Sequence, residues 1–304
     1  MPLKESSMTA TVPAAPAAPE PAPTAPARRP RNRNRNRKQM LVFTVLLVVS
    51  VLMSLPFVEL MISSLRPANE MSSDTWLPSV LDWHNYADAV KTIPFWRFGR
   101  NSLLLAVVNA LLTTVSSALV GYGFARLRAP GKSLLFGLLI STMMVPQIVT
   151  LIPTYLMFAQ VGLVGTYWPW VLWGSAGAPY AIFLYRQFFS SFPKELEEAA
   201  VIDGAGRIRV FFQIFLPLSR PLMVTAFVLA FNAVWGDFIA PNLLLDQSNT
   251  TLAVGVGQGY VNDRGFPLPN LLAGGAVLYL VPVILLFLAA QRSYVRGFVN
   301  SGLK

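Results

Sequence analysis

The sequence predicts an all-α fold, a polytopic membrane protein with six transmembrane helices, on three observations. Of its 304 residues, 54% are hydrophobic, only 12% are charged, and the apolar residues are gathered into long blocks rather than spread over amphipathic elements. A helix crosses roughly 30 Å of hydrocarbon with about 20 apolar residues, at a rise of about 1.5 Å each. Six blocks reach that length, at about 40–62, 101–125, 134–158, 167–189, 221–244 and 271–290. The expected organisation is a tail over residues 1–38 followed by a six-helix membrane domain over 39–304.

Taken in order, the tail is Pro/Ala-rich and then Arg/Asn-rich. It has too little apolar surface to offset chain entropy and is expected to be disordered. The first apolar block follows that polar segment without an A-x-A-like cleavage signal and exceeds a usual h-region, so it reads as a retained signal anchor. Loop 63–100 carries Trp76, Trp83 and Trp96, and Trp168 and Trp170 open the fourth span from the same side. Five of the seven tryptophans thus mark one interface, as an aromatic belt does. Pro146 and Pro153 are expected to interrupt the third span, Gly174, Gly177 and Pro179 the fourth, and Pro241 the end of the fifth. Irregular backbone at membrane depth is tolerated where protein or water meets the freed polar groups, which makes spans three to five candidates for a cavity wall. Close packing of small residues explains the same glycines equally well. Loop 245–270, with Gly255, Gly257, Gly259 and Gly265, is expected to be flexible.

The net charge of +10 and the run Arg31 to Lys38 suggest nucleic acid at first sight. The distribution of charge excludes it. With the amino terminus in the cytoplasm, Arg66, Lys91, Arg97, Arg100 and Arg264 are the only ones of the 24 Lys and Arg residues to fall outside. That bias places both termini in the cytoplasm. The basic arm can also lie on anionic membrane lipid, at about 1 kcal/mol per residue near the surface. No cysteine is present, which excludes disulfides, thiolate metal sites and cysteine nucleophiles. The single histidine, His84, has no second ligand nearby in sequence, so no metal is expected. Gly131-Lys132-Ser133 resembles the tail of a phosphate loop, but the glycine such a loop needs five residues earlier is Arg126. The chain therefore has neither an ATP site nor a catalytic constellation, and any driving energy must come from a partner.

The long inner loop, 190–220, holds the most informative segment. Residues 195–221 read ELEEAAVIDGAGRIRVFFQIFLPLSRP. Pro193 suits a first helical turn, and Glu195, Glu197 and Glu198 place negative charge at the positive end of the helix dipole. Ala199 and Ala200 keep that helix slim, and Asp203-Gly204 supplies a breaker. A second short helix is expected over about 206–214, ended by Leu216-Pro217 and Pro221. The segment closely resembles the EAA loop of the membrane subunits of bacterial ATP-driven (ABC) importers. That loop's pattern is E-A-A, three residues, G, nine residues, I-x-L-P. Glu198, Ala199, Ala200, Gly204, Ile214, Leu216 and Pro217 fill it. Asn101-Ser102-Leu103, Phe124-Ala125-Arg126, Met144-Val145-Pro146, Ile152-Pro153 and Gln291-Arg292 extend the likeness, over residues 40–304, to the carbohydrate-uptake branch of these permeases.

The resemblance implies a permease subunit in a bacterial inner membrane, forming half of the pathway for a sugar or related solute. It implies as partners a second homologous permease, two copies of an ATPase subunit that bind ATP and Mg, and an extracytoplasmic solute-binding protein. By the same resemblance, Glu198, Ala199, Ala200, Asp203 and Gly204 contact the ATPase, with Ile214, Leu216 and Pro217 completing the loop. Read from the residues alone, Asp237 is the sharpest intramembrane candidate, because a carboxylate at the bilayer centre costs roughly 2.5–3.5 kcal/mol and normally faces a cavity or a partner. Gln147, Tyr155 and Asn232 offer hydrogen bonds that match sugar hydroxyls, with Trp235 as a stacking face. Helix–helix hydrogen bonding or interfacial anchoring is the alternative for each. A secondary transporter, the main rival, would show repeated halves, and no internal repeat is evident.

Overall fold

The computed structural model describes residues 33–301, with side chains placed over 39–291. The chain divides into two units, Met1–Ser54 and Leu55–Lys304. In the first, the described residues form the amino-terminal part of helix α1 (Arg33–Ser64), which starts ahead of the boundary expected at residue 39. Arg and Lys are good helix formers and extend an apolar helix readily. Residues 1–32, the rest of the expected tail, lie outside the described residues.

In the second unit, α2 (His84–Thr92) and α3 (Phe95–Arg126) are parted at Ile93-Pro94, where proline begins a helix but cannot continue one. The third block forms two helices, α4 (Lys132–Thr142) and α5 (Gln147–Gln160), which meet at 100°. The break falls before Pro146, which lacks an N–H and disfavours helix in the residue preceding it. Pro153, expected to be a second break, lies inside α5. The fourth block is divided between α6 (Trp168–Ala176) and α7 (Pro179–Ser190) at Gly177, whose φ is +76°. Gly174, expected to help break it, sits within α6 for a packing reason. A Cβ there would stand 3.0 Å from the Asn109 carbonyl oxygen.

Next come α8 (Glu195–Ile202), α9 (Arg207–Val210), a π turn over Phe211–Phe215 and α10 (Leu216–Leu218). The stretch Arg207–Leu218 meets α11 (Arg220–Trp235) at 80°. The fifth block breaks before α12 (Ile239–Leu244), so Pro241 falls in the first turn of a helix instead of ending one. After α13 (Leu252–Gln258), the last helix is α14 (Pro269–Ser301). Among the described residues, three helical stretches are long and apolar enough to cross a membrane, Gln39–Ser64, Phe95–Arg126 and Pro269–Gln291, and the number rises to five if each bent pair is one span. The fourth block, expected to be interrupted, supplies neither a single stretch nor a bent pair of that kind. There α6 and α7, of 9 and 12 residues, are each too short alone.

Helix α3 is the axis of the second unit, packed against α6, α7 and α11. Its buried face repeats every four residues through Asn101, Leu105, Asn109, Thr113, Ser117 and Gly121. The polar members of this face and its neighbours capture backbone groups on other elements. Asn109 Nδ2 donates to Trp170 O at 2.7 Å, Ser116 Oγ donates to Gly174 O at 2.8 Å, and Ala178 N donates to Ser117 Oγ at 3.0 Å. The break between α6 and α7 is therefore satisfied by side chains of α3, the arrangement a broken helix in lipid requires. In loop 245–270, the stretch 255–259, expected to be flexible, is instead packed, whereas residues 261–267 are exposed. Its glycines allow close approach, since a Cβ on Gly255 would lie 2.4 Å from the Phe98 ring and one on Gly257 2.8 Å from the Phe238 ring.

Candidate functional site

Helix α8 begins just after Pro193, with Glu195, Glu197 and Glu198 in its first turn. It ends in a Schellman motif. Ala205 N donates to Ala200 O at 2.9 Å, Gly204 N donates to Val201 O at 3.0 Å, and Gly204 takes φ +82°. That left-handed residue ends α8 and turns the chain into α9 and the π turn, which lead to α11. The corner before α11 is held by Ser219, fully buried, whose Oγ donates to Leu216 O at 2.8 Å. Pro217 in the first turn of α10 and Pro221 in the first turn of α11 flank the 80° bend.

The motif divides by exposure into two faces. Glu198, Ala199, Asp203 and Gly204 are exposed, together with Ile202, of which 85% is accessible. Leu196, Val201 and Ile208 of the same segment are exposed apolar residues as well. Ala200, Ile214, Leu216 and Pro217 are half-buried on the opposite side. Ala200, Ile214 and Leu216 pack against a cluster that contains Tyr122, Tyr185, Phe189, Phe211 and Phe215. The division runs through the motif: Glu198, Ala199, Asp203 and Gly204 face outward, while Ala200, Ile214 and Leu216 seat the segment on the helices. The aromatic cluster beneath it went unread, because its members come from α3, α7 and the π turn and share no spacing.

The candidate pathway residues do not converge on one site. Gln147 is exposed at the start of α5, and Tyr155 is half-buried against the cluster around Phe158 and Trp170. Asn232 is exposed on α11. Asp237 Oδ1 accepts from Ile239 N at 3.0 Å and Ala240 N at 3.1 Å, and so caps α12. Trp235, expected as an open stacking face, is only 3% exposed. It is stacked between Phe231, at 5.6 Å and 13°, and Tyr279, at 5.5 Å and 20°. Its Nε1 donates to Tyr279 O, and Tyr279 Oη donates to Trp235 O. Both ring faces and the polar handle are used within the core, and this corrects the expectation for Trp235.

Comparison with known proteins places this architecture. Residues 117–298 match the family model described as binding-protein-dependent transport system inner membrane component. The chain is 32% identical over 271 residues to the osmoprotective compounds uptake permease protein GgtD of Synechocystis, covering 85% of this chain and 90% of that protein. It is also 32% identical over 253 residues to the melibiose/raffinose/stachyose import permease protein MelC of Bacillus subtilis, covering 82% and 91%. In fold it is similar to a chain of the crystal structure of a bacterial ABC transporter involved in the import of the acidic polysaccharide alginate. That match has a TM-score of 0.75 at 21% identity, over 88% of this chain and 100% of that one. The chain belongs to the binding-protein-dependent transport system inner membrane components, the non-catalytic permease subunits of ABC importers.

Proposed function

We propose that this permease carries a sugar, an oligosaccharide or a related polyol derivative, and that the exposed face of the 195–217 hairpin docks on a separate ATPase. The observation that carries the docking is the turn at Gly204, where a φ of +82° aims an otherwise unpartnered face away from the helices. Support for the solute class comes from relatives named for melibiose, raffinose and stachyose, for lactose and for maltodextrin. In this reading a second homologous permease completes the pathway, and two ATPase copies bind ATP and Mg. An extracytoplasmic binding protein delivers solute to loops 63–100 and 245–270. Closure of the ATPase pair on ATP draws the hairpins together, and the helices rock between inward-open and outward-open forms. The α6–α7 pair counts as the fourth of six spans, both termini are cytoplasmic, and the basic arm ahead of the first span meets anionic lipid. Asn232, Asp237, Gln147 and Tyr155 remain the candidate pathway residues, with Trp235 supporting α11 from behind.

The chain has no cysteine, so single-cysteine variants give clean cross-links. A cysteine at Ala199 or Asp203, in membranes holding the complete importer, is expected to capture an ATP-hydrolysing subunit. Capture of no such subunit in an active preparation defeats the docking.

A further inference from the structure

We propose that Arg126 is a positioning residue for transport, one that locks the returning arm of the hairpin to the ends of α3 and α7 so that the three move as one body. The proposal rests on the hairpin docking an ATPase. Arg126 is the last residue of α3. Its Nε and Nη2 donate to Phe189 O at 3.0 and 2.6 Å, and Nη2 also donates to Phe192 O at 2.6 Å. These carbonyls stand where α7 ends, the point at which helix carbonyls lack intrahelical partners. The guanidinium carbon lies 5.1 Å from the centroid of Phe215, a fully buried ring of the π turn. Phe215 in turn meets Phe189 edge-on at 5.6 Å and Tyr122 of α3 at 5.1 Å.

One side chain thus joins three elements, and no acidic group answers it: among the described residues, no carboxylate lies within 4.0 Å of its nitrogens. The planar fork has a use that a point charge does not meet. It spans two carbonyls in its plane while presenting its face to a ring. The mechanical consequence follows from connectivity. The hairpin joins α7 through residues 191–194, which are not helical, and α11 through the 80° bend, so neither joint is a continuous helix. Helix α3, the packing axis, is remote from the hairpin in sequence, and Arg126 fastens it to the moving part directly. A π turn at that contact fits the recurrence of such turns at functional positions.

The test reads motion, with ATP and vanadate as the probe, in the complete reconstituted importer. An environment-sensitive fluorophore is placed on the hairpin at Arg209→Cys or at the far end of α3 at Trp96→Cys, each alone and each combined with Arg126→Gln or Arg126→Lys. In the parent chain both labels respond to trapping. In Arg126→Gln the hairpin label is expected to respond fully while the α3 response falls about tenfold, with ATP hydrolysis held within about twofold. In Arg126→Lys, which keeps the charge and loses the fork, the α3 response falls about threefold. An undiminished α3 response in Arg126→Gln overturns the proposal, as does an α3 label that never responds in the parent chain. If Arg126→Gln does not assemble, Arg126→Lys decides by the same criterion. Failure of both to assemble also overturns it, because Arg126 would then hold the fold and not the motion. Failure of the hairpin cross-link defeats the docking itself, whereas a normal cross-link with an unchanged α3 response defeats only this role of Arg126.

Discussion

Gly204 and Gly121 separate two kinds of glycine that the sequence writes alike. At Gly204 nothing lies within 4 Å of where a Cβ would sit, and the constraint is the backbone, at φ +82°. A side chain there costs about 1–2 kcal/mol of local stability through left-handed strain and also stands in the proposed docking face. Gly204→Asp and Glu198→Lys are therefore expected to abolish uptake while the amount of assembled protein in the membrane is unchanged. At Gly121 a Cβ would lie 2.5 Å from Tyr185 Cβ and 3.1 Å from two backbone atoms of α7. Gly121→Val is expected to remove the protein from the membrane altogether, as a quantitative immunoblot would read. The same contrast separates Asn232 from Trp235. Asn232→Ala should alter uptake kinetics at a normal protein level, while Trp235→Ala should lower that level, since it empties a three-ring stack.

At the scale of elements, the loop after α1 is a built structure. Arg66, counted in the sequence as one more external charge, is only 8% exposed. It donates to Ser73 Oγ at 2.8 Å, Thr75 O at 2.7 Å and Trp76 O at 2.9 Å. Asn85 Nδ2 donates to the Ser64 and Arg66 carbonyls and ties the loop to α2. Arg66→Met is expected to speed amide exchange across 67–82 about a hundredfold, because each lost hydrogen bond is worth about 1 kcal/mol. Glu70 closes the far side, accepting from Ser79 N at 3.0 Å and from Ser79 Oγ. The Ser79 hydroxyl, then its amide, holds the Glu70 carboxyl below its ordinary value. A depressed carboxylate lends stability above its unfolded value and loses it as pH falls through the lowered folded one. Loop protection should thus persist through the ordinary carboxylate range and fail below it. Ser79→Ala should move that failure to higher pH, as exchange measured against pH would record.

For the whole molecule, the energy source is the decisive property. Uptake by the complete importer is expected to survive dissipation of proton and sodium gradients while ATP is maintained, and to stop when ATP is depleted with the gradients intact. The opposite pattern would return the chain to the ion-coupled class. The broken helices fit a part that must move. Discontinuities at Gly177, before Pro146 and before α12 lie in the blocks expected to wall a pathway, and at Gly177 the freed backbone groups are met by α3. The break leaves α6 and α7 held by directed bonds to a central helix, and not merely by packing, which matters where lipid is as apolar as the side chains.

What the sequence determined alone is everything that depends on local spacing: helical blocks of membrane length, the acidic start of α8, its glycine stop and the membership in the importer family. In lipid every backbone group must find a partner within its own segment, so a block of apolar residues has little choice but a helix. The tertiary structure decided which of several breakers would break, why Gly174 packs while Gly177 turns, and why Pro153 continues a helix that Pro146 begins. It also decided that Trp235 is core, and that Arg126, Phe189 and Phe215 meet at one point. Those outcomes depend on what lies across the gap from a residue, and distances between elements are set by packing, which no periodicity along a single chain records.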